Sequence, residues 1–463
     1  MKQKILILTS MIMWTCTGLA QLPKSEYDEY ESMKRVLNDT ISINKRDQTG
    51  LNIYAASSII QDLSDESVAY YQHVVKQWGW YVGIGPALTK EEASHLNVVY
   101  KLSHKNDKGH WMKLEAVDGY GSYTTDHRIE TYIASSSDND STVNAGWKDK
   151  LASVCQWEMV PDGSGDKVFL ERAYDAQKNL VYHYQPVFIS GKELIGSYTD
   201  SWGFPAKMSR RGGKSEDVLI NIQLDQWGND SIVKLVDSEG NLLMNGSGSW
   251  IIKNICDKKG NVLENYALNR MGAPMNDYYG NCSWKREVDD YGNTLCSLYY
   301  DAGDNPVRIS EDYTPDDVPE IHYEYDRWHR MKSQTFFNEN KPDTTSQGVH
   351  RVEYSYNTHG QILGIKSMGL YGEPKAYGYS NTAFGYYIYD KKGRQISILR
   401  LGPDSTYLST NEYYYRIETS YNEEDLKEKK KYIFDGSDSI LWHYELLLSA
   451  KSPMSTNYRP QCR

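Results

Sequence analysis

Phenylalanine is scarce in this chain, 7 residues against 39 tyrosines. Its aromatic packing must therefore be done by rings that carry a polar atom, which suits half-exposed strands better than a thick apolar core. No long apolar run follows the first twenty residues, which excludes a transmembrane helix from the rest of the chain. Basic charge is also short. Loss of Lys2 and Lys4 with a leader leaves 49 basic against 62 acidic residues, a balance of −13, and so no electrostatic footprint for nucleic acid or anionic lipid. Cysteine is sparse and irregular. Cys155, Cys256, Cys282, Cys296 and Cys462 follow the leader, an odd number with no disulfide-framework spacing.

The leader itself is legible. Lys2 and Lys4 precede the apolar run Ile5 to Trp14, and Gly18-Leu19-Ala20 is a small-residue cleavage site, so residues 1–20 read as a signal peptide. The chain is expected to be exported, to the periplasm, the cell surface or the medium, with no transmembrane anchor after cleavage. A lipid anchor at Cys16 is disfavoured by Trp14 and Thr15, which are larger than the residues such a site takes.

Catalytic motifs are missing. "GSGS" at Gly246 to Ser249 and "DGSGD" at Asp162 to Asp166 are turn compositions and not Gly-x-Ser-x-Gly. The Asp-rich turns each supply one or two carboxylates where calcium needs six to eight oxygens, and His104 with His110 has no third ligand at a telling spacing. No catalytic residue, cofactor or metal is read from the sequence.

What is present is a repeat. Asp or Asn opens a turn at Asp225, Asp257, Asp289, Asp326, Asn357, Asp390 and Asn422, at steps of 32, 32, 37, 31, 33 and 32 residues. Three residues after each opener stand Gly228, Gly260, Gly292, His329, Gly360, Gly393 and Asp425. A second turn begins twelve residues later at Asp237, Asn269, Asp301, Asn338, Gly369 and Gly402, and thirteen later at Asp435. An Asx side chain bonds the backbone two residues on and Gly supplies positive φ, so each pair closes a tight turn. Before the first turns the chain alternates as a half-buried strand, as in Ile321, Tyr323, Tyr325 and Val352, Tyr354, Tyr356. Such units cannot bury an apolar face alone and must extend a common sheet.

Five regions follow: the signal peptide at 1–20, a helical N-terminal cap region at 21–100, degenerate β repeats with insertions at 101–219, regular 32-residue repeats at 220–440, and a C-terminal strand and tail at 441–463. In the cap region Ser25 and Ser64 start helical patterns, the second reaching Trp78, and Thr89 with Glu92 forms a capping box. The fold class is all-β, an antiparallel hairpin array in the form of an extended sheet, spiral or solenoid. A two-residue hairpin register about Asp290 and Tyr291 would put Cys282 on the Cys256 side and Cys296 opposite.

"YEYDRWHRM", "YYIYDKKGRQ" and "VDDYGN" resemble the Tyr-Asp strand-and-turn repeats of bacterial RHS/YD-repeat proteins, and more closely an exported repeat group with a 32-residue Asp-x-x-Gly doublet. The resemblance covers residues 220–440 well and 101–219 in patches. It implies hairpins winding into an extended sheet or shell, with no single activity.

The recurrent strand tyrosines fit a structural cross-strand ladder better than a sugar platform. Trp227, Tyr299, Tyr300 and Trp328 are the better candidates for exposed binding rings. The expected role is a non-enzymatic binding scaffold for a protein or glycan partner. The alternatives are a carbohydrate-binding or carbohydrate-processing surface protein, and a shell component of a secreted effector or toxin system.

Overall fold

The structure is a computed structural model that describes residues 68–127, 129, 141–143, 151–210, 215–308, 318–378, 382–405, 416–421, 427–433 and 440–445. The signal peptide, the pattern from Ser25, Asn422 and most of the 441–463 tail lie outside the described residues. The fold is all-β. Among the described residues 24 strands form one antiparallel sheet that follows the chain from Val68–Tyr71 to Ile440–Glu445. These two end strands are not paired with each other, so the sheet is open.

Each regular unit turns the same way. Asp225 Oδ1 accepts from the N–H of Trp227 at 2.7 Å and of Asn229 at 3.0 Å, and Gly228 takes φ +85°. The five residues Asp225 to Asn229 thus close a type I turn followed by a left-handed residue, and the ladder slips by one residue just before it. The same slip occurs before Asp289, where Val288 pairs with Thr294. The two-residue register about Asp290 and Tyr291 is therefore replaced by this bulged loop, because the Asx side chain reaches two backbone N–H groups only in the longer form. Four cysteines, Cys155, Cys256, Cys282 and Cys296, are free thiols.

In four of the units, where the earlier three have Leu224, Cys256 and Val288 at the same place, a tyrosine stitches the unit to the one before. Tyr325 donates its hydroxyl to the Thr294 carbonyl at 2.9 Å, Tyr356 to Met331 at 2.6 Å, Tyr389 to Ile362 at 3.0 Å and Tyr421 to Gln395 at 3.0 Å. These rings stand directly before a turn opener, on the inner face with Tyr323, Tyr354 and Tyr387. Their hydroxyls are committed to backbone, which accounts for tyrosine where phenylalanine would pack equally well.

Where the cap region is described it is mainly strand, with one short helix. Val68–Tyr71 and Val74–Gln77 are strands, and Trp78 and Gly79 form a left-handed turn at φ 55° and 84° leading into Trp80–Gly83. The helical spacing from Ser64 to Trp78 is overridden by pairing: Val68 to Tyr71 lie against Tyr100 to Ser103, and the β-branched Val74 and Val75 lie against Val82 and Gly83. The helix Lys90–Ser94 does form, with the expected box: Glu92 N donates to Thr89 Oγ1 at 3.3 Å and Thr89 N donates to Glu92 Oε2 at 2.7 Å.

The main core lies in the N-terminal half, around Trp80, Trp157, Tyr182, Tyr198 and Ile220. A smaller one, with Ile321, Phe336 and Val352, serves the regular units. The Val74–Gly83 hairpin leans over the inner face of the sheet, pinned by a 2.6 Å ion pair between Lys76 and the buried Glu171. Beneath it is a cavity of about 570 Å³ lined by Trp250, Trp284, Asn254, Asn265 and Arg286.

Candidate interaction surfaces

The strands of the array end in two rims. The first turns make one rim, and the N-terminal segment runs along it. Trp78 N donates to the Gly228 carbonyl at 2.8 Å, Gln77 to Asn229 Oδ1 at 2.9 Å, and Gln72 to the His329 carbonyl at 2.8 Å; His73 Nε2 lies 3.0 Å from Asn293 Oδ1. Farther along, His95 stacks on Trp328 at 4.0 Å and Tyr120 on His359 at 3.9 Å. His329 accepts φ +62°, strained for a residue with a Cβ, where its ring packs on Tyr291 at 3.9 Å and approaches Glu92 at 3.4 Å. The residues four after the openers link adjacent turns: Arg330 Nη1 donates to the Asn357 carbonyl at 2.8 Å and Gln361 Nε2 to that of Gly393 at 2.7 Å.

Burial alters the acid chemistry of one docked turn. Asp118 opens the turn that carries Tyr120, and burial pushes its carboxyl up to about 6 against the N–H groups of Ser122 and Tyr120 that favour its anion. On the opposite rim the exposed Asp301 carboxyl is held below its ordinary value by the backbone N–H and side chain of Asn305.

That opposite rim carries the second turns, and large apolar side chains of its described residues stand in solvent. Trp202 is 81% exposed, Phe204 68%, Met271 91% and Tyr371 91%, three of them at the third residue of a second turn. Third turns at Asn245 to Gly248, Asp277 to Gly280 and Thr345 to Gly348 join the first two, and Tyr278 N donates to the Ser247 carbonyl at 2.8 Å. Asn-x-x-Gly and Asp-x-x-Gly are plain in the sequence at the first two of these. The twelve-residue doublet did not include them.

Of the twelve turn residues expected from the sequence, all but Asn422 are described, and they share one rim. Asp225, Gly228, Asp257, Gly260, Asp289, Gly292, Asp326, Asn357, Gly360, Asp390 and Gly393 all lie in first turns on the covered rim. Of the four candidate binding rings, Trp227 is 46% exposed. The other three are not free: Trp328 is half-buried under His95, Tyr299 packs beside Val318 and Ile321 on the inner face, and the half-buried Tyr300 lies under the Lys285 ammonium at 4.6 Å. Each was placed by its own strand or turn, but burial comes from the neighbouring element. Sequence reasoning missed Trp202, Phe204, Met271 and Tyr371.

No protein-family profile matches the chain, and no curated protein does. Among solved structures it is similar to a TcdB2-TccC3-Cdc42 complex, at 11% identity and a TM-score of 0.23, over 72% of this chain and 18% of that one. It is also similar to TcdB2-TccC3 without its hypervariable C-terminal region, at 10% identity and a TM-score of 0.20, over 75% of this chain and 21% of that one. A porin-like protein from Bacteroides uniformis matches at 7% identity and a TM-score of 0.22, over 57% of this chain and 86% of that one. The chain spans about a fifth of the TcdB2-TccC3 chains. At these scores the likenesses establish neither a family nor a partner. No helix among the described residues is long and apolar enough to cross a membrane.

Proposed function

We propose that the chain is an exported, non-catalytic scaffold that takes a protein partner along its open second-turn rim. The observation that supports this reading is the contrast between the rims: one is covered by the chain's own N-terminal segment, while the other holds Trp202, Phe204, Met271 and Tyr371 in solvent. Large apolar side chains repeated along one edge of a structure mark a contact surface. The leader at 1–20 supports export.

Photo-crosslinking residues placed at Met271 and Tyr371 on the open rim, and at Tyr291 on the covered one, test the proposal in the exporting cell. Discrete intermolecular adducts from 271 and 371 and none from 291 are expected. Equal yields from both rims would overturn it.

A glycan partner is the second reading, favoured by the flat exposed rings of Trp202 and Tyr371. Soluble oligosaccharides should then quench tryptophan fluorescence in the native chain and not in Trp202→Ala, and an unchanged titration in the variant would exclude this mode.

A further inference from the structure

The outer face of the regular sheet brings together three metal-ligating side chains that lie on two strands. Glu320 and His322 stand two apart on Glu320–Tyr325 and so project from the same face. Cys296, on Thr294–Tyr300, is the direct cross-strand partner of His322. One donor atom from each of the three lies within 4.8 Å of the others. On its other side Cys296 pairs with Glu287, so the row Glu287, Cys296, His322 crosses three adjacent strands with Glu320 beside it.

We propose that Cys296, Glu320 and His322 form a site for a divalent metal of the zinc class, with the fourth position open to water. A thiolate, an imidazole and a carboxylate are the donor types zinc takes, at about 2.0 to 2.3 Å, which places tetrahedral donors about 3.3 to 3.8 Å apart. The 2.6 Å contact between His322 Nε2 and Glu320 Oε1 is shorter than that spacing and the 4.8 Å limit on the group is longer, so seating the ion would require the side chains to rotate.

The surroundings are those of a supported site. Glu320 is buried, and its Oε2 accepts the Asn340 N–H at 2.8 Å, which fixes the carboxylate in the manner of an outer-shell partner. Phe337 backs the His322 ring at 4.5 Å. The His322 side chain remains 41% exposed, which leaves a path for the ion. Burial, with Glu320 and Glu287, pushes the Cys296 thiol up to about 11; a cation between these groups reverses the charge effect, and the thiol gives its proton to water as the metal–sulfur bond forms.

Cobalt(II) is the probe, added to the purified, chelator-treated chain. One ion per chain is expected, with a thiolate-to-cobalt charge-transfer band in the near ultraviolet and displacement by zinc. Cys296→Ser should abolish the band, and His322→Gln should weaken binding by more than about 100-fold, beyond the 10- to 100-fold typical of outer-shell losses. Circular dichroism checks that both variants fold. If Cys296→Ser does not fold, His322→Gln at its exposed position decides the matter by affinity alone. A band that survives Cys296→Ser, binding by His322→Gln within threefold of the native chain, or no saturable binding at all would overturn the assignment.

Discussion

A Cβ added at Gly360 would lie 2.4 Å from Asn97 N and 2.5 Å from the Leu96 carbonyl carbon, whereas one added at Gly372 would meet nothing within 4 Å. Both glycines hold nearly the same backbone, φ +81° and +83°, in turns at opposite ends of the Ile362–Met368 strand. The local motif dictates the conformation and has no say in what arrives over it. The two rims thus separate the contribution of turn chemistry from that of tertiary docking, in one chain and with matched residues.

The largest expected effect follows from that pair. Gly360→Ala should cost about 3 kcal/mol or more, since backbone must shift as well as φ, while Gly372→Ala should cost only the left-handed strain of about 1 kcal/mol. Urea unfolding of the two variants measures the difference, and equal midpoints would mean that the N-terminal segment does not hold the covered rim in solution.

Acid titration sharpens the comparison. The folded Asp118 carboxyl is raised to about 6 from an ordinary 3.8, so between those values the folded state binds more protons than the unfolded one, and stability rises as pH falls through that window. Asp118→Asn keeps the acceptor for Tyr120 and Ser122 without the charge, as Asn357 does naturally in its own turn. The variant should be more stable by about 1 to 2 kcal/mol at pH 7 and should lose the gain on acidification from pH 6 to 4. A pH slope identical to that of the native chain would show that the docked turn stays hydrated.

A smaller effect is expected in the ladder between the rims. Tyr356→Phe removes the hydroxyl bond to Met331 and should cost about 1 kcal/mol, whereas Tyr386→Phe, on the exposed outer face, should stay within about 0.5 kcal/mol. Hydrogen exchange at the 331–338 strand would report the former locally. The smallest change belongs to the open rim: Tyr371→Ser and Met271→Ser should each leave the melting temperature within about 2 °C while reducing crosslinking to a partner. A large loss of stability would identify these side chains as internal packing.

How far the sequence could be read follows the range of each interaction. Asp289 to Asn293 was legible because the Asx turn is made by five consecutive residues. The alternation of Ile321, Tyr323 and Tyr325 was legible because a pleat has period two. The docking of Gln72 on His329 was not, since 257 residues separate them and neither carries a mark of the other. Trp328 looked like an exposed ring for the same reason, its partner His95 being remote. The Ser64 to Trp78 pattern misled because apolar spacing there suits a helix while Val68, Val74 and Val75 find strand partners. The grouping of Cys296 with His322 needed the register of the strands, which the five-residue bulged turns alter from the simplest count.

The tyrosines before the turns have one further consequence. Every hydroxyl reaches backward in the chain, from Tyr325 to Thr294, Tyr356 to Met331, Tyr389 to Ile362 and Tyr421 to Gln395, and in these four cases the acceptor is made before the donor. The lattice of bonds is therefore a vector. As the polypeptide is synthesised from its N-terminus, each new hairpin finds its carbonyl waiting on a unit already laid down, so growth can proceed like brickwork, course upon course.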